Sequence, residues 1–391
     1  MDAARDACGA RRTARRRLGR LVLVGVAFLA TTVLLRNLQS PPLTPTLRPK
    51  LDSFLADKDA YDAVFIGSSR VQRGVQPQVI DERLSSPGRR FRSFNLGVPG
   101  MDGFEADRVL REVLASDPER LRLVVLEVPQ WRVPGLAPSR HTERYVEWHD
   151  LPATCAVLGS IWRQPFPLAA KLTRTWEHLR AFLLRASNYA TAARFGAVRA
   201  PAVERLVAGL AAVRGYLPLH EDLGGRLADR RRRFLAAPAE YRGKVARLRR
   251  LAGRGTLASA EVDRRYDRRA LARQVERVRA SGARAVYLAP PLLTPAADYA
   301  RMAREGLIPH LIDLRDPREF AELFDPRNRF DREHMNQDGA RLMSAIIAEQ
   351  LAPMIDDRGP EASSREEDGI DLRRSRVAPG PPSPGTRWGP R

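Results

Sequence analysis

A serine in a turn that closes a hydrophobic run, and an acidic residue three positions before a histidine, are the side chains here best suited to acyl chemistry. The serine lies in Phe65-Ile66-Gly67-Ser68-Ser69-Arg70, and the pair in Asp331-Arg332-Glu333-His334, more than two hundred residues later. A hydroxyl is a weak nucleophile until a neighbouring base takes its proton. A carboxylate on the far ring nitrogen of a histidine holds the tautomer whose lone pair faces the hydroxyl. Ser69, His334 and Asp331 are therefore candidate nucleophile, base and orienting acid. Each also has a plainer use: Ser69 suits a helix cap, and Asp331 and His334 suit an ordinary loop.

The flanking segments give reason to expect convergence. Ala63 to Ile66 is an apolar, partly β-branched run followed at once by small residues, which predicts a buried strand ending in a tight strand-to-helix turn. Asn336 to Leu351 predicts a helix, with Leu342 and Ile346, then Met343, Ile347 and Leu351, at helical spacing. Between them the reading is helix over Gln76 to Leu84, strand over Phe91 to Asn95, helix over Phe104 to Leu114 and strand over Leu121 to Val128. Later come a helix over Arg265 to Ser281, a strand over Arg284 to Ala289, a further helix and a short strand over Leu311 to Leu314. Alternation of this kind implies parallel strands with crossover helices. In such sheets ligands bind at the carboxyl side, where strand ends and the following helix starts meet. Residues from about 131 to 260 break the alternation: they are rich in Ala, Leu and Arg, punctuated by prolines, and predict a large helical insertion.

Composition sets the outer frame. The chain has 391 residues, 43% hydrophobic, with 67 Lys+Arg against 46 Asp+Glu and a formal charge of +21. A cationic surface attracts nucleic acid, anionic lipid or acidic polymers. The arginines are not interleaved with aromatics as a base-stacking groove requires, so no nucleic-acid partner is expected, and a plain arginine bias is the favoured account of the charge. Residues 1–20 form a basic tail. Leu21 to Leu35 is then free of charge for fifteen residues, short of the roughly 20 of a typical span, though Arg20 and Arg36 can snorkel. A transmembrane signal anchor over 21–36 is favoured over a cleaved signal peptide. The positive-inside rule then puts the tail in the cytoplasm and the rest outside a cytoplasmic membrane. Residues 37–58, with four prolines, read as a linker, 59–356 as the α/β domain with its insertion, and 357–391 as a disordered tail. Cys8 and Cys155 fall on opposite sides of the anchor, so no disulfide and no Cys-based zinc site is expected. Cys155 reads as a small buried residue. His141 and His149, near Trp131 and Trp148, suit either a sugar-binding surface or a solvated loop, and no metal or cofactor is called for.

The series Gly67-Ser68-Ser69, Asn95-Leu96-Gly97-Val98-Pro99-Gly100 and Asp331-x-x-His334 resembles the blocks of the SGNH (GDSL-type) hydrolase superfamily. The resemblance implies a flavodoxin-like three-layer fold, Ser69 as nucleophile, His334 as base and Asp331 as its orienter. It also implies an oxyanion hole built from the Ser69 and Gly100 N–H groups. Two blocks depart from the family pattern. Ser68 stands where the family has Asp before the nucleophile. The third block, whose Asn completes the oxyanion hole, is replaced by Leu126-Glu127-Val128-Pro129-Gln130, in which Gln130 is the candidate amide. The anchor together with Gly-Ser-Ser resembles membrane-tethered members that O-acylate cell-surface polysaccharides beside a multispanning acyltransferase. An esterase or O-acyltransferase is thus implied, with a non-catalytic domain that binds a glycan or such an acyltransferase as the alternative.

Overall fold

Five short runs whose side chains are almost entirely buried build one parallel sheet: β1 (Ala63–Ile66), β2 (Ser93–Asn95), β3 (Leu123–Glu127), β4 (Arg284–Ala289) and β5 (Leu311–Asp313). The order is β2-β1-β3-β4-β5. The computed structural model describes residues 17, 19–28, 30–32, 34, 47–128, 142–187, 201–219, 225–255, 257–259, 267–294 and 298–356. Residues 1–351 make up one compact unit; of the other, 352–391, only 352–356 are described.

Continuous apolar strands are what a parallel sheet covered on both faces demands. Val64, Ile66, Val124, Leu126, Ala285 and Tyr287 share a cluster with side chains of α4 (Gly103–Ala115), α6 (Leu151–Arg163) and α11 (Arg268–Ala280). The alternate residues Phe65, Val125, Val286 and Leu288 are equally buried and, by the two-residue period of a strand, face the other way. Right-handed crossovers put the β1-to-β2 connection, α2 (Ser69–Gly74) and α3 (Pro77–Leu84), on the face opposite α4 and α11, because the strand order reverses at β1. The last helix, α13 (Gln337–Asp356), meets α2 and α3 at their junction: Ser344 Oγ accepts the Gln76 N–H at 2.8 Å and Met343 abuts Gly74.

β1 and β4 have the bounds expected from sequence, while β2 and β3 are two and three residues shorter than the apolar runs that contain them. The difference lies in the edge of hydrogen bonding: Phe91 and Val128 are buried beyond their ladders. Between β3 and α11 the described residues form six helices: α5 (Glu143–Glu147), α6, α7 (Leu168–Ala186), α8 (Pro201–Ala212), α9 (Gly225–Ala236) and α10 (Pro238–Gly253). Two expectations in this region are corrected. His149 and Trp148 are buried, with their rings stacked at 3.7 Å, so they line no sugar-binding surface. Cys155 is exposed rather than buried, because α6 turns its core side at Val157 and Ile161. His141, Trp131 and the tail 357–391 lie outside the described residues, as do residues 37–46 of the linker and parts of 21–36; residues 47–55 of the expected linker are instead a helix that buries Leu47, Leu51 and Phe54 in the core. Residues 19–28 are helical, and among the described residues no helix is long and apolar enough to cross a membrane. A helix α1 (Leu47–Leu55) precedes the sheet, and α12 (Tyr299–Arg304) leads from β4 toward β5.

Candidate active site

Ser69 is the first residue of α2 and is half-buried at the carboxyl end of β1. Its neighbour does the capping: Ser68 Oγ accepts the Arg70 N–H at 3.3 Å. The Ser69 hydroxyl is thereby left to His334, whose Nε2 lies 2.8 Å from it. On the other side of the ring, Nδ1 is 3.0 Å from both Asp331 carboxylate oxygens. A carboxylate only accepts, so Nδ1 carries the hydrogen, and the Nε2 lone pair faces the serine O–H. Burial works against the Asp331 charge, but the His334 ring and the N–H groups of Glu333 and His334 outweigh it and hold the carboxyl below its ordinary value. Ser69, His334 and Asp331 thus form one hydrogen-bonded chain.

The turn before Ser69 is built around a carboxylate that the sequence pattern did not single out. Glu127 ends β3, one strand over from β1 in the sheet. Its Oε2 accepts the Ser68 N–H at 2.5 Å, and its Oε1 accepts from Arg70 Nε at 2.6 Å. Gly67 makes room for this: a Cβ there would lie 2.6 Å from Glu127 Cβ and 2.5 Å from Val71 Cγ2. The only available hint was a charge inside an otherwise apolar strand. Arg70 is consequently part of the scaffold. Arg73, the other arginine of this helix, donates to the Leu217 carbonyl at 2.8 Å.

The second block braces the same helix from the β2 side. Asn95 donates to the Val71 and Val75 carbonyls at 2.9 and 2.7 Å, closing the end of α2, and its Oδ1 accepts the Gly97 N–H at 2.8 Å. A side chain on Gly97 would come within 2.5 Å of the Gln72 nitrogen, so the loop passes α2 too closely for one. From α1, Lys50 reaches the Gly97 carbonyl at 2.5 Å; it is fully buried, which pushes its ammonium well below the ordinary lysine value. Gly100 lies beyond, exposed, with φ +69°. Among the described residues the Ser69 and Gly100 N–H groups donate to no acceptor, whereas the Ser68 and Gly97 N–H groups are occupied. Gln130 lies outside the described residues.

The Asp331 to His334 segment is held by the helical insertion, a support that local pattern could not reveal. Arg231 of α9 donates to the Arg329 and Phe330 carbonyls at 2.8 and 3.1 Å. Arg329, 1% exposed, donates to Tyr241 Oη of α10 at 3.2 Å and to the Pro291 and Arg332 carbonyls. Arg230 is half exposed and stands 4.0 Å from Asp331 and 3.7 Å from Glu333. Among the described residues no cluster of three or more His, Cys, Asp or Glu side chains is arranged to hold a metal ion.

The fold and this site together define an α/β protein that carries a Ser-His-Asp constellation at the carboxyl edge of a five-stranded parallel sheet. No model of a known protein family matches the chain, and no characterised protein is significantly similar to it.

Proposed function

We propose that the chain is a flavodoxin-like, SGNH-type esterase or O-acyltransferase that acts on acyl esters through Ser69, His334 and Asp331. The observation that carries this reading is the continuous chain from Ser69 Oγ through His334 to Asp331, with 2.8 and 3.0 Å links, at the half-buried mouth of the switch-point turn. The β2-β1-β3-β4-β5 order supports the flavodoxin-like assignment. In the reaction the Ser69 proton passes to His334 Nε2 as Oγ attacks the acyl carbonyl. The resulting oxyanion is met by the Ser69 and Gly100 N–H groups. Collapse expels the alcohol, which takes its proton from His334 and leaves an acyl-serine. Water, or a sugar hydroxyl, then gives its proton to His334 and receives the acyl group, and His334 returns that proton to the departing Ser69 Oγ. Burial of His334 and Asp331 keeps solvent from competing for their hydrogen bonds.

By the same resemblance, the acceptor or substrate is a cell-surface polysaccharide. The apolar stretch 21–36 anchors the chain in the cytoplasmic membrane with the α/β domain outside, beside a multispanning acyltransferase. The test is hydrolysis of an activated acetyl ester by the purified chain, with labelling of Ser69 by a fluorophosphonate. Ser69→Ala and His334→Ala are expected to abolish both while leaving the melting temperature within a few degrees. Full turnover by either folded variant refutes the reading, and a parent that binds a glycan but never labels favours a binding domain.

A further inference from the structure

Helix α7 is apolar on the side that faces away from the core. Its buried residues are His178 and Ala181, whereas Leu168, Leu172, Trp176 and Leu183 are 63%, 53%, 58% and 48% exposed. At 100° per residue these four fall, with the half-buried Leu179, in an arc of about 80°. They make one continuous stripe along the helix. Trp162, 48% exposed at the end of α6, adds a second indole. Lys171 connects the two helices, donating to the Trp162 carbonyl at 3.1 Å with its ammonium 5.8 Å from the indole centre. Single exposed leucines are ordinary on a protein surface. A stripe of five at helical spacing is a contact surface without its contact.

Charge identifies the occupant. Lys171 borders the stripe on one side and the exposed Arg180 on the other, in a chain of formal charge +21. A second copy would bring the same cations against these. A bilayer surface bearing anionic phospholipid accepts both features: acyl chains take the leucines, indoles sit at the headgroup level, and the cations reach the phosphates. We propose that α7 is an interfacial membrane helix, its Leu168–Leu183 stripe seated at the headgroup–acyl boundary of an anionic bilayer and Lys171 and Arg180 at the phosphates. The proposal rests neither on the esterase reading nor on the anchor at 21–36.

The test uses the full chain reconstituted in vesicles of phosphatidylcholine and phosphatidylglycerol whose acyl chains are brominated, with tryptophan emission as the readout. Quenching is expected in the parent, most of it lost in a Trp162→Phe/Trp176→Phe variant, which retains Trp131, Trp148 and Trp388 as background. Leu172→Glu/Leu183→Glu is expected to reduce quenching at least fivefold with an unchanged far-UV spectrum. Should that variant misfold, the tryptophan difference still reads the contact. Equal quenching in parent and the double phenylalanine variant overturns the proposal. So does equal quenching in phosphatidylcholine alone, or cross-linking of Leu172→Cys between copies whose tryptophans stay unquenched.

Discussion

Replacing Glu127 tests whether the nucleophile turn is built as its hydrogen bonds imply. The carboxylate is 6% exposed and takes two donors, the Ser68 N–H at 2.5 Å and Arg70 Nε at 2.6 Å. A hydrogen bond to a charged group contributes about 1.5–3 kcal/mol, and removing one member of a buried ion pair costs about 3–5 kcal/mol. Arg70 retains 22% side-chain exposure, so water relieves part of its loss and the lower end applies: about 3 kcal/mol for Glu127→Ala. In a unit of this size that corresponds to a fall in melting temperature of roughly 4 °C. Glu127→Gln keeps the shape but has one oxygen for two donors and turns an NH2 toward the other, so about 1.5–3 kcal/mol is expected. The kinetic effect is larger in proportion, because Ser68 is the residue before the nucleophile and a displacement of about 1 Å costs on the order of a hundredfold in rate. The assay is the rate of fluorophosphonate labelling of Ser69 well below the melting temperature, beside thermal unfolding of both variants. A cycle with Arg70→Met should give a coupling of about 0.5–3 kcal/mol. Variants that melt within a degree of the parent and label at its rate would refute the reasoning.

Two further outcomes follow from other parts of the structure. Asp331→Asn preserves an acceptor for the backbone N–H groups at 2.7 and 2.8 Å but no longer dictates the His334 tautomer. Ester turnover should therefore fall on the order of a thousandfold or more with little change in KM; a loss under tenfold in the folded variant would show that Asp331 does not orient the ring. In the insertion, His149 donates from Nδ1 to the Tyr145 carbonyl at 2.6 Å, and its Nε2 accepts from His178 at 2.8 Å. Burial first of all, together with nearby Arg185, lowers the His149 imidazole to about 4 against the opposing pull of the Tyr145 carbonyl and Asp150. The folded value thus lies below that of the unfolded chain, about 6.5, so the unfolded chain takes up the proton first as pH falls. The stabilisation is full above about pH 6.5 and is lost progressively toward pH 4, at most about 3 kcal/mol. Urea unfolding between pH 7.5 and 4.5 should show a shallower pH dependence in His149→Phe than in the parent; identical slopes would rule this out.

Much of the scaffold was legible in the sequence because it is written in local periodicity. The apolar runs at Ala63–Ile66 and Arg284–Ala289 had nowhere to go but a covered sheet, and the stripe from Leu342 to Leu351 required a helix that packs. Block order also pointed to Ser69, Asp331 and His334, since strand ends and helix starts share one edge in such a sheet. What local pattern could not decide was which atoms face which. Whether Ser68 or Ser69 caps α2 depends on the backbone entering the turn. The Ser68 N–H is claimed by Glu127, a residue of the neighbouring strand. Cys155 and His149 exchanged their expected exposure because an insertion helix buries whichever side its partners leave open.

By itself, then, the linear order of residues determined the parallel sheet, the helical insertion and the three side chains able to share a proton, because hydrophobic period and block order act along the chain. Only the folded molecule decided that Glu127 and Asn95 hold the nucleophile helix, that α9 and α10 brace the histidine segment, and that α7 turns its leucines outward. Those outcomes depend on contacts between residues tens to hundreds of positions apart, and no window of sequence contains them.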